Sequence, residues 1–312
     1  MMNRPLVSVI TPCFRTEKYL EVFLNFLPLQ TIFKDVQFVL DMNAPSELER
    51  QTVSEFQKAH PDQIKVLYSD EVANISSSMN RAIQNSDADF IAIWNVDDLR
   101  TDSSLENQYL TLQALGRPSF TVDSFEVVSK FRHESGRLVR HENLTQEDLL
   151  SGMYLGPFFM FSKALIEEIG YFDEQLFSGA DFDFAIRLAR AAEPVYPLGV
   201  AGYYLDEGMG ASTRPNSLQA LERTVIELRY GIFHKIDFRY VYPATRYVIP
   251  SVLKDGKYVE VSALFGDYHK YISQKLKRFD SDNIDKLHHR ISKKVHFLFS
   301  RFKRIAGFGR MN

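Results

Sequence analysis

The strongest constraint on the fold is an alternation in the first third of the chain. Short apolar runs, rich in β-branched and aromatic residues, recur at Leu6–Ile10 (LVSVI), Val36–Leu40 (VQFVL), Ile64–Tyr68 (IKVLY) and Phe90–Trp94 (FIAIW). Each is long enough for a buried strand and too short for a buried helix. Residues 17–30, 46–60 and 75–84 lie between them with helical spacing; in the first, Leu20, Phe23, Leu24 and Leu27 share a face and Pro28 ends or kinks the helix. Strands alternating with helices predict an α/β fold, a mostly parallel sheet flanked by helices. Ligands of such sheets sit beyond the carboxyl ends of the strands. Thr11, Asp41 and the Asp97–Asp98 pair all fall at those ends.

The second half is less regular. Residues 119–140 suggest two or three short strands, 145–169 a glycine-rich aromatic segment and then a helix, and 181–192 and 217–233 helices. At 312 residues, 45% hydrophobic and 25% charged, the chain can bury a real core as one large domain with an appendage. A net charge of -3 argues against a nucleic-acid partner for the chain as a whole. A lone cysteine, Cys13, cannot form an internal disulfide or a Cys-based zinc site, so a reducing, cytoplasmic setting is expected. No signal-like segment opens the sequence, and no apolar stretch reaches the ~18 residues of a spanning helix.

Adjacent carboxylates such as Asp97 and Asp98 repel one another unless a positive charge joins them. A hard cation, Mn²⁺ or Mg²⁺, bridging substrate phosphates would supply it. A polar turn capping the next helix accounts for the pair equally well. Asp181 and Asp183 open a helix, where the dipole favours negative charge. Asp181 reads either as a helix cap or as a general base that takes a hydroxyl proton. Asp206 and Glu207 open a glycine-containing loop over residues 206–216, either a solvated loop or a lid. The P-loop, H-E-x-x-H and G-x-S-x-G motifs are missing, and no G-x-G-x-x-G follows the first strand.

In order along residues 5–210, the segments VSVITPCF, FVLDMNAPSE, NISSSMNRAI, FIAIWNVDD and GYFDEQLFSGADFDFAIRL resemble the family-2 glycosyltransferases of the GT-A fold. The resemblance implies an inverting, metal-dependent transfer from a nucleotide sugar, most simply a UDP-sugar, to an acceptor hydroxyl of a glycan or lipid-linked molecule in surface polysaccharide synthesis. It implies that Thr11 and Pro12 border the base, that Asp41 reads the uracil edge, and that Asn74, Asn80 and Arg81 line the donor. Asp97 and Asp98 match the end of the D-x-D-type motif, with Asp98 as metal ligand. Asp181 matches the catalytic base, and Asp206 lies where relatives place a group near the metal and diphosphate. Departures are Met42, Met79, Asn95 and Ala180, which bear on nucleotide choice and metal affinity. Cys13 and the run Phe158–Phe161 read as core, whereas Tyr154 and Trp94 are candidates to stack on a sugar. A non-catalytic sugar- or partner-binding relative is the alternative. A sugar-phosphate nucleotidyltransferase fits less well, because TPCFRTEKY lacks the glycines of its loop.

The expected organisation is a GT-A-like domain over residues 1–215, with a nucleotide-binding half to about residue 100 and an acceptor-side half over 101–215, followed by a helical region over 216–312. Residues 270–312 hold twelve Lys/Arg against three Asp/Glu, so the tail is basic and the body acidic. Within 290–306, Ile291, Val295, Leu298, Phe302 and Ile305 form one apolar stripe. That pattern fits docking on an anionic membrane, at the inner face, or packing on the acidic body or on a second copy in a homodimer.

Overall fold

The computed structural model describes residues 4–133, 135–208, 218–230, 237–240, 251–254 and 257–260. The alternation appears as β1 (Val7–Cys13), α1 (Leu20–Phe26), β2 (Val36–Asn43), α2 (Glu47–Ala59), β3 (Ile64–Ser69), α3 (Ile75–Gln84) and β4 (Phe90–Ile93). A 3₁₀ turn carrying Pro28 follows α1, as a proline inside a helical pattern requires. Then come β5 (Leu99–Arg100), α4 (Ser104–Leu115), β6 (Phe120–Thr121), β7 (Ser124–Val128), β8 (Arg137–Val139), α5 (Gln146–Ser151), β9 (Met160–Ser162), α6 (Leu165–Ile169), α7 (Ala180–Ala191), β10 (Pro194–Val195), β11 (Val200–Leu205) and α8 (Gln219–Tyr230). Helix α4 escapes a periodicity reading because its apolar stripe is weak: Leu105 and Leu112 are buried, but Leu110 is exposed.

A seven-stranded sheet runs in the order β10-β6-β9-β4-β1-β2-β3. Strand β1 pairs in parallel with β2 and β4, and β2 with β3. The aromatic run enters this sheet as β9, antiparallel to both β4 and β6. Successive β1 residues face opposite layers. Val7 and Val9 join Phe23, Leu24, Val53 and Leu105 on the α1, α2 and α4 side. Ile10 joins Ala82, Ile83, Phe184 and Ile226 on the side of α3, α7 and α8. Both faces are therefore covered, as a mainly parallel sheet needs.

A second sheet, β5-β11-β7-β8, stands beyond the end of β4. Gly202 lets β11 lie against β5, because a Cβ there would meet the Leu99 carbonyl and the Phe158 ring. Helix α8, expected to belong to the C-terminal region, packs on α7. The expected division at residue 215 and the basic tail fall outside the described residues. Among the described residues no helix is long and apolar enough to cross a membrane.

Candidate active site

Parallel pairing sets Pro12 opposite Asp41 and Ile10 opposite Ile93, so the loops after β1, β2 and β4 open at one edge of the sheet. The chain turns there through left-handed backbone at Arg15 (φ 54°) and Ala44 (φ 48°), conformations non-glycine residues adopt only when the surroundings enforce them. The β1 loop is tied down by Glu49, whose Oε1 accepts from the Thr16 amide (2.6 Å) and hydroxyl (2.7 Å). Its Oε2 accepts from the Ser46 amide, closing a capping box on α2. Thr11 is buried, and its hydroxyl has no partner among the described residues. Asp41 is fully buried beside it, gripped by Arg81 from α3 through Nε (3.0 Å to each oxygen) and Nη2 (2.8 Å). Burial raises the Asp41 pKa, and Arg81 opposes the rise. Asp41 and Arg81 thus form one unit at the carboxyl end of β2, with the guanidinium half-buried at its outer side.

Asp97 and Asp98 occupy the turn that links β4 to β5. Asp98 is buried; its Oδ1 accepts from the Leu205 amide at 2.9 Å, and its Oδ2 meets the Asn95 amide at 3.3 Å. Burial, and then the neighbouring Asp97, push Asp98 well above the ordinary carboxylate range. Burial also raises Asp97, which feels Glu207 and Lys18 from the rim, themselves paired at 2.7 Å. Tyr204 reports how these groups converge. Its hydroxyl is pushed up to about 12, first by burial and then by Asp98, Asp206, Asp97 and Asp181. Four acids from three separate stretches of sequence thus act electrostatically on one phenol.

A cavity of about 370 Å³ adjoins this cluster, lined by Asn95, Tyr204, Asp181, Met153, Phe177 and Arg223 among others. Asp181 stands in the first turn of α7 and accepts from the Phe182 amide at 2.8 Å. Its side chain is exposed to the cavity, yet the dense protein around it pushes the carboxyl up to about 6, with Glu222 adding to the rise. Nothing in the sequence pointed to Glu222. It reaches from α8 under the segment before α7 and accepts from the amides of Phe177 (2.9 Å), Ser178 (2.7 Å) and Gly179 (2.8 Å). Gly179 is needed for this approach, since a Cβ would meet Ile226 at 2.9 Å and Glu222 at 3.2 Å. Glu222 thus fixes the entry to the helix that carries Asp181.

The remaining candidates lie elsewhere. Asn74 caps α3 and donates to the Glu174 carbonyl. Asn80 is buried and exchanges bonds of 2.9 Å with the Phe172 backbone in both directions. Both amides brace the segment before α7, and neither lines the cavity. Asp183 is spent on Arg187 (2.8 Å), Arg229 (3.1 Å) and the Tyr230 hydroxyl (2.9 Å), all buried, which locks α7 to α8. Trp94 cannot stack on a sugar: it is fully buried against Phe23 and Phe38, and its indole N–H donates to the Asp98 carbonyl. Tyr154 packs edge-on to His141, away from the cavity lining. Cys13 and Phe158–Phe161 are core, as expected.

The sequence profile described as Glycosyl transferase family 2 matches residues 8–170, more than half of the chain. The chain belongs to glycosyl transferase family 2. Among curated members, it is 22% identical over 194 residues to an uncharacterized glycosyltransferase of Methanocaldococcus jannaschii, covering 60% of this chain and 65% of that one. It is 22% identical over 232 residues to an uncharacterized glycosyltransferase of Rickettsia prowazekii, covering 72% and 68%. The chain thus spans about two thirds of the length of these relatives. Among solved structures, S. aureus TarS 1–349 in complex with UDP-GlcNAc superposes with a TM-score of 0.58 at 16% identity, covering 78% of this chain and 70% of TarS. The complex of the same protein with UDP gives 0.57. This likeness establishes the GT-A fold.

For a divalent metal such as Mn²⁺ or Mg²⁺, the donor set fits in part. Asp97 is raised by burial and by Glu207, and Asp98 by burial and by Asp97, strains which a cation would relieve. No group of three or more His, Cys, Asp or Glu among the described residues could hold a metal ion alone. Donor phosphates would have to complete the shell, as is usual for Mg²⁺.

Proposed function

We propose that the chain transfers a glycosyl group, with inversion, from a nucleotide sugar, most simply a UDP-sugar, to an acceptor hydroxyl. The observation that carries this reading is that Asp181 from α7 shares one cavity with Asn95, which opens the Asp97–Asp98 turn after β4, and with Tyr204 of β11, at the carboxyl edge of a family-2 sheet. The loop after β1 and the Asp41–Arg81 pair would receive the base. Asp98, with the adjacent Asp97, would hold Mn²⁺ or Mg²⁺ together with the donor's phosphates. When bound, that ion neutralises charge on the leaving diphosphate.

Asp181 accepts the proton of the acceptor hydroxyl. The oxygen then forms its bond to the anomeric carbon as the bond from that carbon to the phosphate oxygen breaks, and the nucleoside diphosphate leaves with the electron pair. A carboxyl raised to about 6 suits this work, because it is ionised at neutral pH and more basic than an ordinary aspartate. A glycan or lipid-linked acceptor fits a cavity that is open to solvent at Asp181. The basic stripe over 290–306 would bring the enzyme to an anionic surface such as the inner face of a membrane.

The test is release of UDP or GDP from a panel of nucleotide sugars, with Mn²⁺ and with a chelator, for wild type, Asp98→Asn and Asp181→Asn. The expected result is metal-dependent turnover of a UDP-sugar. Binding of nucleotide sugar without turnover of any donor would instead favour a non-catalytic sugar-binding relative.

A further inference from the structure

We propose that the acceptor carries an anionic group, a phosphate or a carboxylate, and that the Arg223 guanidinium receives it in the wall of the Asp181 cavity. The proposal rests on the transferase reading above and names the acceptor's chemistry.

Arg223 rises from α8 into the lining of the cavity, with its side chain 24% exposed. Its Nε donates to Glu227 at 2.8 Å, and the guanidinium lies over the Phe182 ring at 5.2 Å. One edge and one face are thereby fixed. Nη2 is buried and has no partner among the described residues. The other well-buried arginines use their terminal nitrogens: Arg100 on the Ile93 and Phe158 carbonyls, Arg187 on the Ile169 carbonyl. An unpaired guanidinium N–H in a protected place costs free energy, so Arg223 is held ready at a cost.

Two simpler roles fail. Arg223 forms no ion pair with Asp181; its own ion pair is with Glu227 at 2.8 Å. Packing on Phe182 requires no charge, and the wall also carries the apolar Met153, Phe177 and Phe182. A neutral polyol would gain little from a planar cation on such a wall. A phosphate or carboxylate matches its fork. It would also bring a negative charge beside Asp181 and Glu222, which only a fixed cation makes tolerable. At about 370 Å³ the cavity is near the small end of ligand sites, so it would take the terminal unit of an acceptor.

The experiment titrates methyl glucoside, methyl glucoside 6-phosphate and methyl glucuronide into the full chain, with and without saturating UDP, by calorimetry. Wild type is expected to bind one of the charged compounds at least about tenfold more tightly than the neutral one, the lower end for a charged hydrogen bond. Phosphate or carboxylate preference distinguishes the two sources of charge. Arg223→Gln should abolish the preference, and Arg223→Lys should keep part of it, as a point charge without the fork. If Arg223→Gln unfolds for want of a partner to Glu227, the double change Arg223→Gln, Glu227→Gln removes both charges and must also lose the preference. Equal binding of all three compounds by wild type, or a preference that survives both variants, overturns the proposal. UDP binding in the same titrations reports on the transferase reading alone. Its absence, with the Arg223-dependent preference intact, would sink that reading and leave the anion site standing.

Discussion

Glu222→Gln tests how the base is positioned. Oε2 of Glu222 accepts from the Ser178 and Gly179 amides and, with Oε1, from that of Phe177. A glutamine oxygen in the place of Oε2 keeps the Ser178 and Gly179 bonds in weakened, uncharged form. Its NH₂ replaces Oε1 and faces the Phe177 amide, donor against donor, which leaves that amide only its 3.0 Å bond to the retained oxygen. Loss of one charge-assisted bond costs about 1.5–3 kcal/mol, and two more drop by about 0.5–1 kcal/mol each, so the expected destabilisation is about 2.5–5 kcal/mol. Urea unfolding followed by circular dichroism measures it. A second readout is electrostatic. Glu222 contributes to the rise of Asp181, after burial, so removing its charge lowers the Asp181 pKa below its value of about 6. The acid limb of kcat/KM, which rises as the base deprotonates, should then move to lower pH. A variant as stable as wild type within ~0.5 kcal/mol, the range of a neutral surface change, would refute the contacts. An acid limb that moves to higher pH would refute the link to Asp181.

Asp181→Asn should leave UDP binding intact and lower transfer by about 10²-fold or more, the scale for a lost general base; single-turnover assays decide, and a loss under tenfold leaves Asp181 as a helix cap. In wild type, kcat/KM should climb through a pH near the Asp181 value of about 6 and then level; a profile flat from pH 5 to 8 contradicts its role. Asp98→Asn should remove metal-dependent UDP binding in calorimetry while the chain stays folded, and undiminished binding would reassign the ligand. Asp41→Ala should weaken UDP binding by roughly tenfold or more, the cost of a charged hydrogen bond; tighter binding of GDP than of UDP by wild type would show that the base is read otherwise. Asp183→Ala should destabilise by about 3–5 kcal/mol, as for one partner removed from a buried ion network. Despite burial, Arg187 and Arg229 hold Asp183 below the ordinary carboxylate range, so its contribution is complete above pH ~4 and fades as pH falls further. A stability loss under about 1 kcal/mol on urea unfolding would mean the network is not formed.

The sequence by itself determined the parallel half of the sheet and the strand-end positions of Thr11, Asp41, Asp97 and Asp98. Period and β-branching are local properties, and they locate a strand and its end without knowledge of its neighbours. The motif resemblance extended this to Asp181. Tertiary structure alone decided the rest. Pairing partners lie far apart in sequence, so the antiparallel entry of β9 between β4 and β6 left no local trace. Whether a polar side chain faces a ligand or its own protein depends on what packs beside it. Asn80 and Asp183 look as functional as Asp181 in the sequence, yet Asn80 is spent on the Phe172 backbone and Asp183 on two arginines. Trp94 looks like a sugar platform until Phe23 and Phe38 cover it. Glu222 and Arg223 sit on an ordinary amphipathic helix, and they reach the cavity because Ile226 and Tyr230 of the same helix are buried in the core with α7, fixing which face of α8 turns toward Asp181.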